Sequence, residues 1–182
     1  MDMGEVAVEQ ELSATMASAA EGDEYAFARI VDACHEDMRR VCLFVGHDQD
    51  LAEDAVQNAW SIAWRKLRSV RDPAKLRPWL MRVAVNETKR ALKKRSRRTE
   101  VESLVARSGA PSGRDPETGI DALDLREALK RLDPDERALL ALRYIAGFNA
   151  TELAGALGIT PSGTRNRLER LTDRLRRELS DG

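Results

Sequence analysis

The sequence predicts an all-α protein of two small helical bundles joined by a flexible linker, the second carrying a helix-turn-helix. Three observations lead there. Apolar residues recur at three- and four-residue steps through most of the 182-residue chain, the spacing of helices with one buried face. The run SGAPSGRDPETG, residues 108–119, interrupts that periodicity with Gly, Pro and Ser, which marks a linker. Beyond it, NATELAGALGITPSGTRNRLERLTDRLRREL holds two helix-forming stretches around a Gly-containing turn.

The net charge of −1 hides a segregated distribution. From Met1 to Glu24 there is no Lys or Arg, but there are Asp2, Glu5, Glu9, Glu11, Glu21, Asp23 and Glu24. Residues 1–22 are expected to be mobile, with a short helix around Glu9 to Ala19. From Arg65 to Arg98 only Asp72 and Glu87 oppose a dense set of Lys and Arg, which points to a polyanionic partner. No apolar run approaches a membrane span, and an acidic N-terminus is wrong for a signal peptide. A soluble cytoplasmic protein with no membrane insertion is expected.

The first strong helix carries Phe27, Ile30, Val31, Cys34, Met38, Val41, Cys42 and Val45 on one stripe and stops near Gly46. Two cysteines are too few for a disulfide framework, and on this stripe they read as small core hydrophobes. A metal site would need ligands converging from elsewhere, and His35 and His47 are the only histidines, so neither metal nor cofactor is expected.

Asp50 to Leu67, DLAEDAVQNAWSIAWRKL, predicts the next helix. Leu51, Ala55, Val56, Ala59, Ile62, Ala63 and Trp60 are assigned to the core. Asp50, Asp54, Gln57 and Ser61, spaced four, three and four apart, share the opposite face. By periodicity alone that stripe is ordinary solvated surface. Paired carboxylates also suit acid–base chemistry, but no nucleophile, metal ligand or phosphate loop accompanies them, so an enzyme is not expected.

A loop follows, VRDPAKLR, residues 70–77, with Arg71, Lys75 and Arg77. The helix from about Pro78 to Arg95 supplies Trp79, Leu80, Val83, Ala84 and Ala91 to a three-helix core. Another of its faces carries Arg82, Asn86, Lys89 and Lys93 and runs out into KKRSRR. Basic residues at a helix C-terminus complement its dipole, and an excess extending past the last turn also makes a nucleic-acid surface. Both readings fit the residues.

After the linker, Leu123 to Leu132 forms one helix, and Asp133-Pro134 opens another running to about Ala146. Asn149 with Glu152 three residues on is a helix start with a reciprocal carboxylate. Gly158 ends that helix, and Thr160-Pro161 caps and opens the next. The second helix of such a pair can enter a DNA major groove, and here it bears Arg165, Asn166, Arg167 and Arg170, donors suited to phosphates and purine edges. A helical hairpin with a merely solvated arginine face is the bland alternative.

Three stretches, in order, carry a family resemblance. DLAEDAVQNAWSIAWRKL resembles the second conserved region of bacterial sigma factors of the extracytoplasmic-function group, with its AED..Q....AW core. LRPWLMRVAVNETKR is similar to the adjoining segment of that region. RLDPDERALLALRYIAGFNATELAGALGITPSGTRNRLERLTDRLRREL resembles the fourth region without a gap. The resemblance covers roughly residues 23–98 and 122–180. It implies region 2 over 23–98, a flexible linker over 99–121 and region 4 over 122–182.

The family resemblance implies a non-enzymatic RNA polymerase subunit that confers promoter specificity. Asp54 and Gln57 are the residues it carries over for docking on the clamp helices of the beta-prime subunit, with Asp50 and Ser61 on the same stripe. Arg71, Lys75, Arg77, Arg82, Asn86, Lys89 and Lys93 would meet the minus-ten element, where opened bases are captured singly. Thr160, Ser162, Thr164, Arg165, Asn166, Arg167 and Arg170 would meet the minus-35 element. The beta flap, promoter DNA and an anti-sigma protein are the further partners implied. Arg90 and Val85 depart from the family's acidic and basic positions, Ser162-Gly163-Thr164 from its Gly-Thr-Val, and Asn166 from its Ser. No sensory domain is expected after the last helix. The rival is a helix-turn-helix regulator that binds duplex DNA alone as a dimer, which leaves the acidic stripe and the basic helix unexplained.

Overall fold

In the structure, a computed structural model, residues 13–105 and 120–180 are described. Among them there are helices and turns but no strand. A first helix, α1, runs through residues 13–21. It overlaps the short helix expected around Glu9 to Ala19 and is packed: Met16 and Ala19 are buried, and the Arg68 guanidinium donates to the Ala20 carbonyl oxygen. Residues 1–12 lie outside the described residues.

Helix α2 spans Glu24–Gly46. Its start is fixed by Asp23, whose carboxylate accepts from the amides of Tyr25 (2.9 Å) and Ala26 (3.1 Å), two donors with no partner inside the helix. It ends where His47 turns left-handed at φ 54°. Helix α3, Gln49–Lys66, begins at once, with the Asp48 carboxylate accepting from the Leu51 amide at 2.9 Å. Short turns at Leu67–Ser69 and Pro73–Lys75 lead into α4, Leu76–Val105.

Helix α4 passes well beyond the expected end near Arg95. From Trp79 to Val105 there is neither Gly nor Pro to stop it, and fading apolar periodicity marks loss of packing rather than loss of helix. The linker expected from residue 99 is thus helical to Val105, and residues 106–119 lie outside the described residues.

Met38, Val41, Cys42 and Val45 of α2, Val56, Ala59 and Ala63 of α3, and Leu80, Met81, Ala84 and Val85 of α4 form the first core, all essentially inaccessible. Each large side chain among them contributes roughly 1.5–3 kcal/mol by leaving water. Alanines at 52, 55, 59 and 63 line the buried face of α3 and let the helix axes approach closely.

The second bundle comprises α5 (Ile120–Arg131), α6 (Pro134–Leu140), a wide π turn at Ala141–Ile145, α7 (Ala150–Leu157) and α8 (Pro161–Ser180). Tyr144 is 65% exposed, as fits the change of register a π turn imposes.

The two bundles touch, and their cores are continuous. Helix α7 packs on α4, and α6 packs on α2. Buried Arg137 of α6 donates from Nε to the Val45 carbonyl oxygen at 2.7 Å, and from Nη1 to that of Leu132.

Candidate functional site

The acidic stripe forms as expected. Asp50, Asp54, Gln57 and Ser61 are all exposed along α3, although the Ser61 hydroxyl donates back to the Gln57 carbonyl oxygen at 3.1 Å. A groove of about 610 Å³ lies beside them between α2 and α3, walled by Val31, His35, Val56 and Trp60 and rimmed by Arg39 and Glu53. Trp60 was assigned to the core. It packs against that core from a half-buried position, and its indole N–H donates to His35 Nδ1 at 3.2 Å. Phe27 meets Trp60 and Trp64 edge-on, with centroids 5.8 and 4.9 Å away. The signal for Trp60 was its place three residues after Gln57, which puts an aromatic next to the polar stripe.

On the stripe's other flank a wider cleft of about 730 Å³ opens between α3 and α4, where Asp50 and Asp54 face Arg90, Lys94 and Arg95. Arg95 pairs with Asp48, and Arg90 with Glu87 at 2.6 Å. The Leu51 amide, and then the Arg95 guanidinium, hold the Asp48 carboxyl below its ordinary range.

The basic face divides. Arg71, Lys75, Arg82, Asn86 and Lys93 are exposed, Lys75 lying 3.3 Å from Asp72. Arg77 and Lys89 are half-buried and engaged by the other bundle. Arg77 Nη2 donates to Asp37 (2.7 Å) and to the Ala146 carbonyl oxygen (2.8 Å), and its guanidinium lies 5.0 Å from the centroid of the Phe148 ring. Lys89 Nζ donates to Asp135 at 2.8 Å. Sequence reasoning had no means of finding these partners, which are 40 to 71 residues away along the chain.

The helix-turn-helix is built by caps. Asn149 accepts from the Thr151 and Glu152 amides at 2.9 and 3.0 Å, while Glu152 reaches back to the Asn149 amide at 2.8 Å. Gly158, at φ 71°, makes the left-handed exit that an L side chain resists. Thr160 accepts from the Gly163 amide at 3.1 Å. A side chain at Gly163 would place its Cβ 3.0 Å from that hydroxyl, so the glycine in the first turn of α8 makes room for the cap.

Arg165, Asn166, Arg167 and Arg170 stand exposed on α8, as does Ser162. Leu171 and Leu175 are buried on the opposite side, and Leu168 packs partly against the core. Thr164 does not join the exposed set. It is fully buried, and its hydroxyl donates to the Thr160 carbonyl oxygen at 3.0 Å, which braces the first turn. Arg174 secures α8 to α6 through Glu136 at 2.8 Å and lowers that carboxyl's pKa.

The family model for sigma-70 region 2 matches residues 30–98, and that for sigma-70 region 4 matches residues 122–175. The chain belongs to the extracytoplasmic-function sigma factors. As a sigma factor of RNA polymerase it serves promoter recognition and transcription initiation. It is 30% identical over 138 residues to the sigma factor CarQ of Myxococcus xanthus, covering 72% of this chain and 76% of that one. It is 28% identical over 159 residues to the extracytoplasmic-function sigma factor SigM of Mycobacterium tuberculosis, covering 87% and 79%. A probable sigma factor of Xanthomonas campestris, RfaY, is 30% identical over 168 residues, 88% of this chain, which spans 42% of that relative's length.

The solved structure of the sigma factor RpoE from Bartonella quintana in complex with the anti-sigma factor NepR aligns with a TM-score of 0.67 at 25% identity, over 85% of this sigma factor and 96% of that chain. CnrH, solved with the cytosolic domain of CnrY, gives 0.68 at 23% identity over 93% and 97%, a likeness of fold. Among the described residues no three His, Cys, Asp or Glu converge as a metal site, and no helix is long and apolar enough to cross a membrane.

Proposed function

We propose that this sigma factor separates polymerase docking from DNA reading onto distinct faces. Region 2, residues 23–98, docks on the beta-prime clamp helices through Asp50, Asp54, Gln57 and Ser61. The exposed polar stripe beside an apolar, Trp60-walled groove is the observation that carries this reading: a partner helix finds apolar contact in the groove and charge along its rim. Arg71, Lys75, Arg82, Asn86 and Lys93 face the minus-ten element, joined by Arg77 and Lys89 once those two are released. Region 4, residues 122–182, reads the minus-35 element through Arg165, Asn166, Arg167 and Arg170, with Ser162 and the Thr160 turn at the helix mouth.

The protein acts in the cytoplasm, at the nucleoid when in holoenzyme, and its work is binding rather than catalysis. An apolar groove lined by Leu129, Leu140, Tyr144, Ile145 and Leu175 of region 4 and by Phe44 of α2 offers a seat for an amphipathic helix. The beta flap is its occupant during initiation, and an anti-sigma protein is the partner that holds the factor inactive. The solved RpoE of Bartonella quintana, bound to the anti-sigma factor NepR, supports the latter.

Run-off transcription with bacterial core polymerase on randomised promoters tests the whole assignment. Start sites that depend on this protein and share two spaced elements are expected. Absence of initiation, with a palindromic duplex bound by the protein alone, would overturn it in favour of a dimeric regulator.

A further inference from the structure

We infer that Glu169 is a further specificity-determining residue of the minus-35 contact, its carboxylate selecting a cytosine by accepting from that base's exocyclic amino group. The inference rests on the reading of α8 as the recognition helix, and it concerns a residue outside the set assigned above. Its place on the helix is the first support. Counted from Ser162, Arg165, Asn166 and Glu169 lie three, four and seven positions on, so the four share one face of α8. All four are exposed, and that face turns away from the buried Thr164, Leu171 and Leu175. A helix seated in the major groove reads base edges through one such face. From Asn166 to Glu169 the helix rises about 4.5 Å, against about 3.4 Å per base pair, so the two reach bases one or two steps apart.

Its lack of a partner is the second. The other two carboxylates of α8 are engaged: Asp173 pairs with Arg176 at 3.0 Å, and Glu178 lies 3.8 Å from Arg174. The Glu169 carboxylate makes no hydrogen bond or ion pair among the described residues, although Arg165 stands one helical turn before it. An unneutralised carboxylate on a face that meets a polyanion is repelled by phosphates, and it contributes only where a donor faces it. The major groove offers few. Guanine shows two acceptors there, and thymine an acceptor and a methyl group, so a carboxylate rejects both. Adenine shows an amino group beside its N7 acceptor. Cytosine shows the N4 amino group with no acceptor of its own, which makes it the base that Glu169 fits. Arg165, Arg167 and Arg170 supply attraction to any duplex, and Glu169 subtracts from it wherever the base is wrong.

A change of code tests it. Core polymerase with the full-length wild type, Glu169→Ala or Glu169→Gln initiates on promoters randomised through both elements, and the productive templates are sequenced. Wild type is expected to prefer cytosine at one minus-35 position over the other bases on the order of tenfold. Glu169→Ala should flatten that position and leave the rest of the element as it was. Glu169→Gln should move the preference there from cytosine to adenine, because a carboxamide meets the N6 amino group and N7 of adenine together. A residue that merely shaped the helix would not transfer a preference from one base to another.

Loss of the carboxylate should also raise initiation from templates with a scrambled minus-35 element, since repulsion from the phosphates goes with it. Glu169 is exposed and both replacements favour helix, so the two variants should unfold at the wild-type temperature. Failure of wild type to initiate would remove the sigma reading and this inference with it. Initiation from two spaced elements with the same base preferences for all three proteins overturns the inference alone and leaves Glu169 as solvated surface. An equal change at every minus-35 position overturns it too, because that is the signature of net charge and not of a base contact.

Discussion

Region 2 rests on three long helices of 23, 18 and 30 residues, whereas region 4 is assembled from pieces of 12, 7, 8 and 20. The long helices bury Met38, Val41, Val45, Val56, Leu80, Met81 and Val85 completely; region 4 offers Leu139, Leu142, Phe148 and Leu153. Helices of seven or eight residues do not persist alone in water. Region 4 therefore spends side chains on its helix ends, with capping boxes at Asp133–Glu136 and Asn149–Glu152. One half is specified by apolar periodicity and the other by local end chemistry. The halves also present their functions differently, region 2 on a helix flank and region 4 at a helix mouth.

The largest effect should come from reversing charge on the flank of region 2. Asp54→Arg places a cation on the exposed docking stripe without touching the core, so circular dichroism should match wild type. Losing a desolvated charge contact costs about 2–5 kcal/mol. Holoenzyme assembly should therefore weaken by roughly 100-fold or more in a binding titration. Assembly at wild-type strength would remove the docking assignment and leave the stripe as solvated surface.

Next in size is a test of which half rests on its core. Met38→Ala removes a fully buried side chain from between α2, α3 and α4 and should cost about 2–5 kcal/mol in chemical denaturation. Arg165→Ala should leave that transition unmoved, since its side chain is exposed on α8. It should instead lower discrimination between matched and scrambled minus-35 promoters by about 1–3 kcal/mol, the scale of a base contact. Equal transcription from both promoters before and after the change would assign Arg165 to the phosphate backbone or to none.

How much of this was legible follows the same division. The stripes of α2 and α3 are set by spacing within one helix, so Cys34, Met38 and Cys42 could be placed in the core, and Asp54 and Gln57 on the surface, from sequence alone. The helix ends at Asn149, Gly158 and Thr160 were readable because a cap is chemistry between residues two to four apart. What was not readable depends on distant chain. Arg77 looked like a DNA contact because its partners, Asp37 and the Ala146 carbonyl, are 40 and 69 residues away. Thr164 has the composition of a contact residue and the position of a core residue, and only the orientation of α8 decides between them. The end of α4 was misjudged because apolar spacing reports packing, while helix continues wherever nothing stops it.

The smallest effect separates a cap that titrates from one that does not. Asn149→Ala removes two accepted amide hydrogen bonds and leaves Glu152 with half of its box, which should cost about 1 kcal/mol. Asparagine carries no proton to lose, so that cost should be the same at every pH. Glu136 behaves otherwise. Arg174 lowers its pKa in the folded state, so the stability it contributes is complete above the ordinary glutamate value of about 4.3 and is lost as pH falls through its lowered folded value. Acid should therefore loosen the α6–α8 contact in wild type and in Asn149→Ala alike, while Glu136→Gln should start weaker at pH 7 and lose less on acidification. Amide exchange along α6 and α8, followed from pH 7 to pH 3, checks both statements. Parallel acid profiles for wild type and Glu136→Gln would mean that region 4 is held at that end by Leu139 and Leu171 and not by the ion pair.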